Sequence, residues 1–222
     1  MDEKETVWLD RFVRAVTGTF PGRVVCIGLQ GSRGRGEARP DSDIDMVVIL
    51  DRLEYDDLIQ YRKAVADLPN RELLCGFVSG REELLAWEPA ELFQFYHDTR
   101  PILGDLEFLR SCFGREDAAR AVRTGCCTLY HSCVHNVLHE RDPALLAGLF
   151  KTALFTLQAK HYCETGQYIK VHRELAEQLT GADGAVAHRA LILRDGGFPD
   201  LGRDSELLLG WCGPLLRVRT AD

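Results

Sequence analysis

The sequence predicts an α+β chain: a small mixed sheet with its helices, followed by an all-α helical bundle. Three observations carry this. Between residues 23 and 104, β-branched and apolar runs recur, bounded by Gly, Pro and Asp. From about residue 113 onward, apolar residues recur instead at spacings of three and four. The length of 222 residues suits one large domain or two small ones. We therefore expect a sheet domain over residues 1–112 and a helical domain over residues 113–222.

The first expected element is a helix over Val7–Val16, with Trp8, Phe12 and Ala15 on one face, stopped by Pro21-Gly22. Arg23–Leu29 (RVVCIGL) and Asp45–Leu50 (DMVVIL) read as buried strands. Tyr55–Leu68 reads as a helix, Glu72–Val78 (ELLCGFV) as a third strand and Glu91–His97 (ELFQFYH) as a fourth. The stretch PILGD at 101–105 then reads as a short return strand. In the second half, Val122, Cys126, Leu129, Cys133 and Val137 share one helical face. A further helix is bounded by an Asp142 cap, Pro143 in its first turn and Gly166 past its end, with Leu146, Phe150, Leu154 and Leu157 inward. Shorter helices follow around 170–179, 185–193 and 205–218, and their short connections favour an antiparallel bundle.

Composition narrows the function classes. Hydrophobic content is 45% and charged content 27%, as in a soluble globular protein, and no apolar run is long enough to cross a membrane. The N-terminus, MDEKETVWLD, lacks the basic-then-apolar pattern of an export signal. The eight cysteines form no C-x-x-C pair, so we expect reduced, buried thiols in a cytoplasmic protein. A net charge of -7 argues against bulk nucleic-acid binding and is compatible with a cationic substrate.

The chemistry concentrates in one stretch, GLQGSRGRGEARPDSDIDMVVIL, from Gly28 to Leu50. A Gly31-Ser32 turn after a strand can offer backbone N–H groups and a hydroxyl to phosphate oxygens. Asp43 and Asp45 lie two residues apart, so on a strand they share a face, with Cα atoms about 6.6 Å apart. Carboxylates so placed can hold Mg²⁺, which takes oxygen ligands and substrate phosphates together. A phosphate cradle facing a carboxylate pair is the pattern of a metal–nucleoside-triphosphate site. The stretch has no G-x-x-x-x-G-K-[ST], and Gly31, Gly34 and Gly36 do not form G-x-G-x-x-G.

Gly31-Ser32 followed by Asp43-Ile44-Asp45 resembles the signature of the DNA polymerase β-like nucleotidyltransferase superfamily. CGFVSGREEL and ELFQFYHDTRPILGD resemble the corresponding strands of its kanamycin nucleotidyltransferase branch. The likeness covers about residues 23–110; the helical half matches only in general character. It implies a polymerase β-like domain that transfers a nucleoside monophosphate from an NTP, ATP by preference, with Mg²⁺ or Mn²⁺. It gives Gly31, Ser32, Arg35 and, as a second cation, Arg33 to the triphosphate, and Asp43 and Asp45 to the metal. The family's third carboxylate falls at Leu74, leaving Glu72, two residues earlier, as the candidate metal ligand. His131, His135 and His139 form a stripe at i, i+4, i+8. Comparison back from the HERD stretch places His135 at the family's catalytic base and His139 at its cation; a solvated histidine stripe is the alternative. Lys151, on a face with Phe155, Gln158 and Tyr162, is either a phosphate-reaching or a solvated lysine. The acceptor hydroxyl belongs to an aminoglycoside-like small molecule or to a protein, and a homodimer is admitted. A module that binds NTP without turnover is the rival reading, suggested by Leu74.

Overall fold

A computed structural model of the chain describes residues 3–217. Contacts divide it into two compact units, Met1–Phe113 and Gly114–Asp222.

In the first unit the sequence pattern becomes a four-stranded mixed sheet in the order β3-β2-β1-β4. The strands are β1 (Val24–Leu29), β2 (Ile44–Leu50), β3 (Leu74–Gly80) and β4 (Arg100–Gly104). β1 runs antiparallel to β2 and β4, while β2 and β3 are parallel. Helix α1 (Glu3–Thr19) lays Trp8, Leu9, Phe12 and Val16 on one sheet face. There they meet Ile27 and Leu29 of β1 and Ile44, Met46, Val48 and Leu50 of β2. Trp8 keeps its indole N–H satisfied by donating to the Pro69 carbonyl at 2.6 Å. Helix α2 (Gly31–Arg35) follows β1, and α3 (Tyr55–Ala64) follows β2, capped by the reciprocal Glu54–Asp57 pair. Arg23 forks onto Asp57 at 2.8 and 3.0 Å and reaches Asp51 at 3.0 Å, tying the entry of β1 to α3. Burial pushes the thiol of Cys26, on β1, up to about 12.

Two expectations in this unit are corrected. Glu91–His97 is not a strand but the body of α5 (Pro89–Asp98), which follows the single turn of α4 (Arg81–Leu85). The aromatic run suggested β structure, yet Glu88 accepts from the Ala90 N–H at 2.6 Å and Pro89 occupies the first turn. Once started, the helix buries Leu92, Phe93 and Phe95. The third strand begins at Leu74, not Glu72, because Asn70 (φ 55°) turns the chain and residues 71–73 form a 3₁₀ turn. Inside β3, Gly76 (φ +138°) lies so close to β2 that a Cβ would fall 1.9 Å from the Met46 carbonyl oxygen.

The second unit is helical: α6 (Arg115–His135), α7 (Pro143–Thr165), α8 (His172–Gln178), α9 (Gly181–Arg194) and α10 (Leu201–Arg217). Asp142 caps α7 by accepting from Ala144 N–H at 2.7 Å, and Gly166 (φ 77°) ends it. α6 packs on α7 and α10, and α7 on α9, around Leu129, Phe150, Leu154, Leu157, Leu208 and Trp211. Cys126, Leu129 and Cys133 of the expected α6 face are buried, but Val137 is 46% exposed. The backbone changes to π winding over Asn136–Glu140, which rotates the face. Asn136 is buried in its place, bonding the backbone of Asp142 at 2.9 and 3.0 Å. Val218, the expected end of the last helix, lies outside the described residues. All eight cysteines are free, but Cys75 and Cys127 are exposed, against the expectation of uniformly buried thiols. No described helix is long and apolar enough to cross a membrane.

Candidate active site

The site grows from the point where β1 ends beside the start of β2. Gln30 donates its N–H to the Asp45 carbonyl at 2.8 Å, so the turn leaving β1 is fixed to β2. Gly31 then takes φ +65°, and a Cβ on it would lie 2.0 Å from Asp45 Oδ2. The glycine is therefore the reason the turn can lie directly against that carboxylate. Ser32 and Arg33 follow in the first turn of α2, whose N–H groups lack intrahelical carbonyls. Gly36 closes the helix at φ 75°, and Glu37 donates its N–H to the Ser32 carbonyl at 2.8 Å. The Ser32 hydroxyl has no hydrogen-bond partner among the described residues.

The two arginines are turned to the protein. Arg33 donates through Nη2 to the Ser42 carbonyl at 2.8 Å and through Nε to the Asp43 carbonyl at 3.1 Å. It thereby staples the loop that carries Asp43. Arg35 is buried and pairs with Asp98 at 2.9 Å and Glu37 at 3.4 Å. The family resemblance gives Arg35 a phosphate; the structure gives it these two carboxylates.

Asp43 is exposed, one residue before β2, and Asp45 is partly buried within it. Because Ile44, Met46, Val48 and Leu50 face the α1 side, Asp45, Val47 and Ile49 face the other. The register pairs Ile44 with Leu74 and Asp45 with Cys75. Leu74 packs into the α1-side core, so it cannot stand for a third carboxylate beside Asp45. That place belongs to Cys75. Glu72 is likewise off the strand, exposed on the 3₁₀ turn, which corrects its expected place in the third strand two residues before Leu74.

His131, His135 and His139 lie exposed along the end of α6 and its π turn, with ring centroids 6.4 and 4.9 Å apart. His135 Nε2 lies 3.2 Å from Glu140 Oε1, an acidic neighbour that helical spacing alone did not reveal. Lys151 is exposed on α7. Among the described residues, no three His, Cys, Asp or Glu side chains are grouped to hold a metal.

Sequence reasoning missed Cys75 and Asp98. Cys75 needed the strand register. Asp98 carried no signal beyond its place at a helix end.

Residues 9–91 match the family model of the nucleotidyltransferase domain. The matched stretch takes in most of α1, β1, the Gly31-Ser32 turn, β2 and β3. Among solved structures it is similar to spectinomycin adenyltransferase AAD(9) from Enterococcus faecialis, determined with ATP and spectinomycin. The identity is 13% and the TM-score 0.59, over 96% of this chain and 99% of that one. At that identity the likeness is one of fold. No curated protein matches it.

Proposed function

We propose that the protein is a Mg²⁺-dependent nucleotidyltransferase. It moves a nucleoside monophosphate from an NTP, ATP first among them, to a hydroxyl of an aminoglycoside-like acceptor and releases pyrophosphate. The observation that carries this reading is the contact between Gly31 and the Asp45 carboxylate, which brings a phosphate-receiving turn against a metal-binding group. Net charge of -7 supports a cationic acceptor, as does likeness in fold to an enzyme determined with ATP and spectinomycin.

The donor set suits Mg²⁺ at two positions and not at a third. Asp43 and Asp45 offer hard oxygens, and the remaining positions of the ion would go to water and phosphates. Cys75 offers a soft thiol, which Mg²⁺ does not select. When bound, the ion would neutralise phosphate charge and polarise the reacting phosphorus. The protein's own part is positioning. Gly31 and Ser32 hold the triphosphate, and Arg33 keeps the Asp43 loop in place. The acceptor oxygen attacks the α-phosphorus, the bond to the bridging oxygen breaks, and pyrophosphate leaves with the electron pair. His135 takes the acceptor's proton: with Nε2–H donating to Glu140, Nδ1 is left as the accepting nitrogen.

The test is a pyrophosphate-release screen over four NTPs against aminoglycosides and aminocyclitols. Release that needs both an NTP and one acceptor supports the reading. Nucleotide binding without release for any pair favours a second reading, a binding module without turnover, for which Cys75 beside Asp45 is the motivating observation.

A further inference from the structure

The segment leaving β1 is fastened to the end of α5 at nearly every step. A Cβ on Gly28 would meet Thr99 Cγ2 at 2.5 Å. Gln30 donates through Nε2 to Thr99 Oγ1 at 2.8 Å and to the Phe95 carbonyl at 3.4 Å. The Gly31 N–H donates to Asp98 Oδ2 at 3.2 Å, and Arg35 Nη1 donates to Asp98 Oδ1 at 2.9 Å. A Cβ on Gly34 would be blocked by the Leu29 carbonyl at 2.6 Å, with the Asp98 carbonyl 3.7 Å away. One buried carboxylate, 8% exposed, therefore holds both ends of α2.

A buried ion pair contributes little to stability compared with an apolar pair of the same volume, and its best-attested use is to fix registry. Here it fixes the distance between two site groups. Asp98 holds Gly31 from one side, and Asp45 touches it from the other. We propose that Asp98 and Arg35 form a positioning latch that sets the Gly31-Ser32 turn at its working distance from Asp45, and that Arg35 acts on the turn and not on the nucleotide. The inference rests on the nucleotidyl-transfer reading above. It departs from that family's use of the arginine as a phosphate ligand.

Mg·ATP affinity, and KM against kcat, are measured for wild type, Asp98→Asn, Arg35→Gln and the double variant, with thermal midpoints as a check on folding. A latch predicts that Asp98→Asn weakens Mg·ATP about tenfold or more, the range for a lost hydrogen bond to a charged group. KM for ATP rises while KM for the acceptor stays within about twofold. Arg35→Gln causes a similar loss, and the double variant is no worse than the worse single, as expected for residues acting as one unit. A phosphate-binding Arg35 predicts the opposite sign at Asp98: released from that carboxylate, the arginine binds Mg·ATP as well as before or better. Unchanged or tighter binding in Asp98→Asn, alongside collapse in Arg35→Gln, overturns the latch and leaves the transferase reading standing. If Asp98→Asn fails to fold, Thr99→Val loosens the same fastening; a few-fold loss confined to ATP supports the latch, and no change overturns it. A wild-type protein that binds none of the four Mg·NTPs removes both inferences together.

Discussion

Gly31→Ala should cost this protein far more in turnover than in stability, and Gly36→Ala supplies the control. Both glycines have positive φ, +65° and +75°. An alanine in either place carries the left-handed penalty of about 1–2 kcal/mol. For a unit of this size that lowers the thermal midpoint by about 4–8 °C. The positions differ in what a methyl group meets. Nothing lies within 4 Å of a Cβ at Gly36, whereas at Gly31 the Asp45 Oδ2 is 2.0 Å away. That is about 1.5 Å inside ordinary van der Waals contact, so either the carboxylate or the turn must move by about that much. Misplacement of a reacting geometry by about 1 Å is worth about 10²-fold in rate. Pyrophosphate release should therefore fall by about 10²-fold or more in Gly31→Ala and by less than about threefold in Gly36→Ala, at similar thermal midpoints. Equal turnover in the two variants would refute the claim that contact between the turn and Asp45 builds the site.

Other perturbations test separate parts. Asp43→Asn and Asp45→Asn should each abolish turnover in Mg²⁺ while circular dichroism and thermal midpoint stay near wild type; full activity in either sinks the metal assignment. Arg23 holds the Asp57 carboxyl below the usual carboxylate range, chiefly through their hydrogen bond. Its stabilisation is therefore fully present above an unfolded pKa of about 3.9 and is lost as pH falls through the lower folded value. Asp57→Asn should lower the urea midpoint at pH 7 and flatten its fall at acid pH; an unchanged acid limb would assign that fall to other carboxylates. If His135 is the base, His135→Ala should cut kcat by about 10²–10⁴-fold and remove the acid limb of the pH–rate profile, with His131→Ala doing less. A variant that keeps both rate and limb places the base elsewhere.

Local chemistry made much of the protein legible. The Gly31-Ser32 and Asp43-x-Asp45 pattern, the strands at 24–29 and 44–50, and the Asp142, Pro143 and Gly166 punctuation all depend on neighbours within a few residues. The same kind of signal was present at Glu88-Pro89, where it outweighed an aromatic run that resembled a strand. The π turn at 136–140 was not legible, because one altered winding displaces Val137 and buries Asn136 without leaving a mark on the spacing.

By itself, then, the sequence determined that a Gly-Ser turn and a carboxylate pair stand on adjoining elements of a small sheet, because those groups lie within 15 residues of one another, Gly31 to Asp45. Only the tertiary structure decided what surrounds them. The pairing of β2 with β3 put Cys75, and neither Leu74 nor Glu72, beside Asp45. The docking of α5 brought Asp98 onto Gly31 and Arg35, separated by 67 and 63 positions in the chain. Strand register and the seating of a helix are set by the packing of both sheet faces at once, and no local run of residues encodes that sum.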